Sequence, residues 1–382
     1  MKIVCAASVL YGKEAFETVG DTYVIPDARI SREHVRDADA LVIRSKTVAN
    51  AALLEGSRVS FVGTATAGTD HLDEAFLADA GMATAAADGC NANSVAEYVV
   101  AALCALAARH GMRLDTLTVG VVGCGHIGSR VVQKAEALGM KTLRNDPPLQ
   151  LASGDRRFLD LDRLLTEADL LSLHVPLTRG GPFPTWRMAG YHFFEHLKPR
   201  ALFFNTSRGE VVDPDALLLT LEKGTISHAV LDVWDHEPCI SRTLLHKVDV
   251  GTPHIAGYSF EGRLNGTVAV YEDLCRFFET APRWRPDESR FPAGARVSVD
   301  GRGLSEEEIL WRAIQGAYDL EADDRALRAG STASDPDWAA HFNALRRDYG
   351  ERREFAAAQV RLSEAPDTAA EKLRRLGFHV SG

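Results

Sequence analysis

Short apolar runs alternate with amphipathic stretches along most of this chain. Runs at Ile3–Ala6, Tyr23–Ile25, Ala40–Ile43 and Ser60–Gly63 have the length and β-branched content of strands. Helical patterns at Lys13–Thr18, Ser31–Arg36 and Asp73–Ala80 separate them. The alternation resumes after Leu117. Strands are predicted at Val119–Val122, Lys141–Arg144, Leu170–His174, Ala201–Asn205, His228–Val233 and Val248–Gly251, with helices at Ser129–Leu138, Asp162–Ala168, Tyr191–His196 and Pro214–Lys223 between them. Strand–helix alternation predicts parallel sheets, hence an α/β protein with two doubly wound domains. An alanine-rich helix, Ser94–Arg109, joins the two, with Asn93 or Ser94 as its cap and Glu97 placed for a capping box. A helix at Leu264–Glu279 returns to the first domain.

A Pro/Arg-rich stretch from Ala281 to Pro286 reads as a linker. Beyond it, strands at Arg296–Val299 and Ala357–Leu362 and helices at Glu306–Tyr318, Asp337–Tyr349 and Thr368–Leu376 predict a C-terminal α+β domain. The expected boundaries are therefore 1–95 with 256–280, then 96–255, a linker at 281–294, and 295–382. The mixed-sign run from Arg346 to Glu354 reads as a solvated or intersubunit face.

Gly123-Cys124-Gly125-His126-Ile127-Gly128 connects a buried strand to a helix, and Asp146 stands beyond the next strand, 18 residues after Gly128 (146 − 128). Glycines there serve a tight turn, close backbone approach to a pyrophosphate and close helix–strand packing. The helix N-terminus offers unpaired N–H groups to phosphates. An acid at Asp146 accepts from ribose hydroxyls and repels a 2′-phosphate, which predicts NAD over NADP; Arg144 nearby weakens that preference.

Of the 382 residues, 46% are hydrophobic and 25% charged, so sizeable cores are within reach. A net charge of −10 argues against nucleic acid or an anionic membrane surface as the main partner. The six cysteines are scattered with no CxxC pair, which predicts neither disulfides nor a zinc site and suits a reducing cytoplasm. The N-terminus enters a strand with no signal-peptide pattern, and no apolar run approaches the ~20 residues needed to span a membrane, so a soluble cytoplasmic protein is expected.

Loops after strands carry the candidate chemistry. Arg44-Ser45-Lys46-Thr47 offers cations and hydroxyls to a carboxylate or phosphate, and the small residues of 64–71 let backbone N–H groups approach a ligand. Arg208 follows one strand, Glu237 the next, and His254 the last. An arginine fork holds a carboxylate bidentately, a histidine takes an alcohol proton as hydride leaves, and an acid on its other nitrogen fixes the tautomer. A 2-hydroxyacid dehydrogenase needs this set, and no metal.

GCGHIG with Asp146, NTSRGEVVD at 205–213, LDVWDHEP at 231–238 and TPHIAG at 252–257 resemble the D-isomer-specific 2-hydroxyacid dehydrogenase superfamily. FVGTATAGTDHLDEAFLADAG at 61–81, GCNANSVAEYV at 89–99, AYDLEADDRALR at 317–328 and RRDYGERREF at 346–355 are similar to the erythronate-4-phosphate dehydrogenase family within it. The resemblance covers essentially the whole chain. It implies a substrate domain, a Rossmann NAD domain and a C-terminal dimerisation domain, hence a homodimer. It also implies NAD-dependent oxidation of a phosphorylated hydroxyacid, 4-phospho-D-erythronate, in pyridoxal 5′-phosphate biosynthesis. Arg208, Glu237 and His254 match the catalytic trio, and Ser45, Thr66 and Tyr258 match substrate-binding positions, to which the residues themselves add Arg44. Asp146, Val175, Thr206, Ser207, Asp232 and Gly257 fall at NAD contacts, with the backbone of His126 and Ile127. Val175, Thr206-Ser207 and residues 150–158 depart from the family pattern. A phosphoglycerate-type dehydrogenase and a non-catalytic NAD-sensing scaffold are the alternatives.

Overall fold

The computed structural model describes residues 1–382 as two compact units, Met1–Asn91 with Ser259–Pro292, and Ala92–Tyr258 with Ala293–Gly382. In the first, strands β1 (Lys2–Ala6), β2 (Asp21–Ile25), β3 (Ala40–Ile43), β4 (Phe61–Thr64) and β5 (Ala83–Ala86) form a parallel sheet in the order β2-β1-β3-β4-β5. The apolar-run reading did not include β5, whose sequence ATAA is small rather than hydrophobic. The returning helix, Phe260–Phe277, buries Val270, Tyr271 and Leu274 in the core of this sheet.

The second unit holds β6 (Thr118–Val122), β7 (Lys141–Asn145), β8 (Leu170–Leu173), β9 (Ala201–Asn205), β10 (Ile226–Leu231) and β11 (Val250–Gly251). All pair in parallel, in the order β11-β10-β9-β8-β6-β7. The order reverses beside β6, and in such sheets ligands bind where loops from neighbouring carboxyl ends diverge. Fully buried strands such as LLSL and ALFFN explain why the sequence shows continuous apolar runs rather than alternation.

The alanine-rich helix runs from Ala92 to His110, 19 residues with a mean hydropathy of 1.2 over its most apolar window, long and apolar enough to cross a membrane. Here 83% of that window is buried, so the helix is apolar all round because protein surrounds it. Glu97 makes no capping box. Its carboxylate is buried, accepts from Phe355 N–H at 2.9 Å, and faces Lys134 Nζ at 3.5 Å.

Strands β12 (Arg296–Asp300), β13 (Gln359–Ser363) and β14 (His379–Ser381) make a parallel three-stranded sheet, joined by helices including Glu306–Ala317 and Asp335–Arg347. Ile309, Leu310, Ile314, Phe355 and Leu373 share one continuous core with Val99, Leu103 and Val131. Trp338 and Phe342 join the core on Leu244 and Ile240. The 346–354 run is solvated only in part: Arg347, Asp348, Gly350 and Glu351 are exposed, whereas Arg352 and Glu354 are buried. Arg352 is buried, donates to the carbonyls of Ser94 (2.6 Å) and Ala256 (3.1 Å), and stacks 4.0 Å from the Tyr318 ring centroid.

Candidate active site

The glycine turn follows β6. Gly123 sits at φ 84°, and a Cβ there would meet the His174 carbonyl oxygen at 2.6 Å. At Gly128 a Cβ would lie 1.9 Å from the Gly123 carbonyl oxygen, the close helix–strand contact that only glycine permits. Gly125 is different: a Cβ there meets nothing within 4 Å. The open space lies at the N-terminus of the helix His126–Ala137, the arrangement suited to a pyrophosphate. Ile127 and His126 form the first turn of that helix.

Asp146 lies just past β7. One carboxylate oxygen accepts from Cys124 N–H in the glycine turn at 2.8 Å; the other accepts from Leu149 N–H at 2.9 Å and caps a short helix, Pro147–Ser153. Two backbone donors therefore fix the carboxylate beside the turn. Arg144 pairs with Glu136 at 2.9 Å, so its cation is already partnered by a carboxylate. Val175 follows β8 and neighbours Gly123. Thr206 and Ser207 follow β9, with Thr206 Oγ1 3.2 Å from Nδ1 of His174. Burial pushes the His174 imidazole down to about 3, so it is a neutral hydrogen-bonding bridge between Thr206 and Ser172.

Arg208, Glu237 and His254, the three residues expected to carry the chemistry, occupy the next loops. The Asn205 side chain organises the first: its oxygen accepts from Ser207 N–H (3.0 Å) and Oγ (2.7 Å), while its amide donates to the Arg208 carbonyl at 3.0 Å. Arg208 Nη1 donates to the Ser207 carbonyl at 2.8 Å. Asp232, fully buried past β10, accepts from Thr252 Oγ1 (2.7 Å), Ile255 N–H (2.7 Å) and Ala256 N–H (2.9 Å), while its own carbonyl accepts from His254 N–H at 2.7 Å. The turn is thus wrapped around one carboxylate, which holds His254 at φ 58°, a left-handed conformation costly for a residue with a Cβ. Thr252 spends its proton on Asp232, so Tyr98 donates to Thr252 across 2.7 Å. Burial raises Asp232 above the usual carboxylate range despite the nearby His254 and these hydrogen bonds.

His254 Nδ1 donates to Glu237 Oε2 at 2.8 Å, because a carboxylate only accepts. In the neutral ring, Nε2 then carries the lone pair. Glu237 Oε1 accepts from Trp234 N–H at 2.9 Å. Burial raises the Glu237 carboxyl, but attraction to His254, their hydrogen bond and Arg346 outweigh it and hold the group below its ordinary value. Gly257 and Tyr258 follow on the same turn, with Arg346 donating to the Tyr258 hydroxyl at 3.3 Å.

The glycine turn, Asp146, Val175, Thr206, Arg208, Asp232, Glu237 and His254 all follow carboxyl ends of strands in one parallel sheet. Arg44, Ser45 and Thr66 lie past β3 and β4 of the other unit, where Thr66 Oγ1 donates to the Gly68 carbonyl (2.9 Å) and Arg44 Nη1 to Ser8 (3.4 Å). Sequence reasoning missed Arg346. Its signal was present: Trp338, Phe342 and Arg346 follow at four-residue spacing, one face of one helix.

Residues 91–256 match the D-isomer specific 2-hydroxyacid dehydrogenase, NAD binding domain. Residues 291–377 match a domain of unknown function, DUF3410. The erythronate-4-phosphate dehydrogenase of Klebsiella pneumoniae is 42% identical over 379 residues, 99% of this chain and 98% of that protein. The chain belongs to the erythronate-4-phosphate dehydrogenase family. The Cronobacter sakazakii relative of the same name is 41% identical over 381 residues, covering 100% of this chain and 99% of that one. Among solved structures, the TT0316 protein of Thermus thermophilus superposes with a TM-score of 0.63 at 26% identity, over 74% of this chain and 98% of that one. The NAD+-bound 3-phosphoglycerate dehydrogenase of Entamoeba histolytica shares the fold, with a TM-score of 0.63 at 23% identity over 75% and 99%. The chain is an NAD-dependent dehydrogenase, and the open space at Gly125, the Asp146 carboxylate and the N-terminus of the His126 helix fit that cofactor.

Proposed function

We propose that this protein oxidises C2 of 4-phospho-D-erythronate to (R)-3-hydroxy-2-oxo-4-phosphooxybutanoate in pyridoxal 5′-phosphate biosynthesis. The observation that carries this reading is the Glu237–His254 pair at 2.8 Å, on the same carboxyl edge of the sheet as the glycine turn, in a chain so similar to proteins of that name. Bound NAD supplies the hydride acceptor. Arg208 holds the C1 carboxylate with its planar fork and polarises the C2 oxygen. His254 Nε2 takes the C2 hydroxyl proton; the O–H pair becomes the second bond of the carbonyl as the C2–H pair departs as hydride. Glu237 stabilises the imidazolium so formed, and reduction runs the same steps backwards.

Arg44, Ser45, Thr66 and Tyr258 are the substrate-binding residues of this proposal, with Arg44, Ser45 and Lys46 offered to the phosphate. A cytoplasmic homodimer is also proposed. Six free thiols support a reducing compartment, and the family-like C-terminal segment supports the dimer. The C-terminal aromatics add no support for the dimer, because Tyr318, Trp338 and Phe342 are buried within the chain. Light scattering of the full-length protein tests the oligomer. For the activity, purified protein and NAD are offered 4-phospho-D-erythronate, 3-phosphoglycerate and D-lactate. The proposal expects the first to have the highest kcat/KM, and preference for either other substrate overturns it.

A further inference from the structure

We propose that Arg346, on the C-terminal helix Asp335–Arg347, is a positioning residue for the catalytic pair, holding Glu237 and Tyr258 together and limiting how strongly Glu237 draws a proton onto His254. The inference rests on the dehydrogenase reading above. Arg346 Nη1 lies 3.9 Å from Glu237 Oε2, the oxygen that also accepts from His254. Nη2 donates to the Tyr258 hydroxyl at 3.3 Å. The guanidinium carbon stands 5.9 Å from the Tyr258 ring centroid and 6.0 Å from that of Phe342, and the side chain is 19% exposed. Its Nε is buried with no hydrogen-bond partner, so ring faces and charge hold this group rather than a carboxylate fork.

Glu237 is faced by His254 from the turn after β11 and by Arg346 from the C-terminal helix. His254 is faced by Glu237 and, behind the turn, by Asp232. Tyr258 carries Arg346 on one side and the Tyr349 ring edge-on at 5.9 Å; Tyr349 in turn donates to Asp323 at 2.8 Å. Two carboxylates stand beside one imidazole, and alcohol oxidation needs that ring neutral. A fixed cation beside Glu237 Oε2, the oxygen that accepts from His254, offsets part of that negative charge. The segment matching a domain of unknown function thereby gains a role in the chemistry.

The test compares full-length wild type with Arg346→Met, Arg346→Gln as a second neutral form, and Arg346→Lys, which keeps the cation. The His254 titration is followed by NMR of the imidazole carbons without substrate, and separately as the pKa in kcat/KM for oxidation. Loss of the cation should raise it by roughly half a unit or more in both neutral variants. Oxidation at neutral pH should then fall, by at most about threefold for a half-unit rise, and recover at alkaline pH, with KM little changed. Arg346→Lys should titrate close to wild type. An unmoved titration in whichever neutral variants fold overturns the proposal. So does a rise in KM for the phosphorylated substrate with an unmoved titration, which would make Arg346 a substrate ligand. If wild type oxidises no hydroxyacid while the NMR titration still moves upward, the functional reading fails and the coupling stands.

Discussion

Alanine at Gly128 and alanine at Gly125 should fail in opposite ways. At Gly128 the new Cβ lies 1.9 Å from a backbone oxygen, where real contacts essentially never fall below 3.0 Å, so about 1.1 Å (3.0 − 1.9) must be found by moving backbone. Overpacking of this kind costs about 1–3 kcal/mol, and the upper end applies because no flexible side chain can yield. At roughly 2–4 °C per kcal/mol, Tm should fall by about 6–12 °C. At Gly125 the Cβ meets nothing within 4 Å, and φ is −68°, so folding loses little. The methyl group instead takes the space of the pyrophosphate. Losing one or two hydrogen bonds to a charged group costs about 1.5–3 kcal/mol, a ten- to hundredfold loss of NAD affinity. Thermal melts and NAD titrations on both variants read the two effects separately. Wild-type NAD affinity in Gly125→Ala would remove the pyrophosphate from this turn, and a wild-type Tm in Gly128→Ala would refute the packing argument.

Asp146→Asn puts an amide N–H against either Cys124 N–H or Leu149 N–H, since both oxygens accept from backbone; it should cost about 1–3 kcal/mol of stability and narrow the NAD over NADP preference, read from the ratio of kcat/KM values. Glu237→Gln stabilises the imidazolium less, so the catalytic pKa should move down, opposite to Arg346→Met; a pKa that stays put removes Glu237 from the mechanism. Burial raises Glu97, against the opposing pull of Lys134, from 4.5 to about 7. The folded state therefore binds more protons than the unfolded one between those values, and stability should fall as pH rises through that window, by on the order of 3 kcal/mol at most. Glu97→Gln should flatten that slope in denaturant titrations at several pH values; an unchanged slope would place its origin elsewhere.

The two larger sheets were legible because their strands are buried on both faces and separated by amphipathic helices, so that Ala40–Ile43 and Ala201–Asn205 stand out as apolar blocks. β5 was not legible, because ATAA carries no hydrophobic signature and becomes a strand by pairing with β4. The glycine turn, Asp146 and the strand-end trio could be read because each chemistry dictates its residue types. Arg352 and Glu97 could not. Charge usually marks a solvated surface, and only the fold shows that Arg352 meets two carbonyls and a tyrosine face in the interior. Arg346 was hidden for the same reason. The sequence gap of 109 residues (346 − 237) between it and Glu237 closes only in three dimensions.

The assignment of His254 as the acid–base group is tested most directly by kcat for NAD reduction with 4-phospho-D-erythronate in wild type and His254→Asn, with NAD affinity measured alongside. The ring at 2.8 Å from Glu237 contributes nothing to the glycine turn, so NAD should bind nearly as in wild type while kcat falls about 10²–10⁴-fold. Near-wild-type turnover by His254→Asn would contradict the assignment.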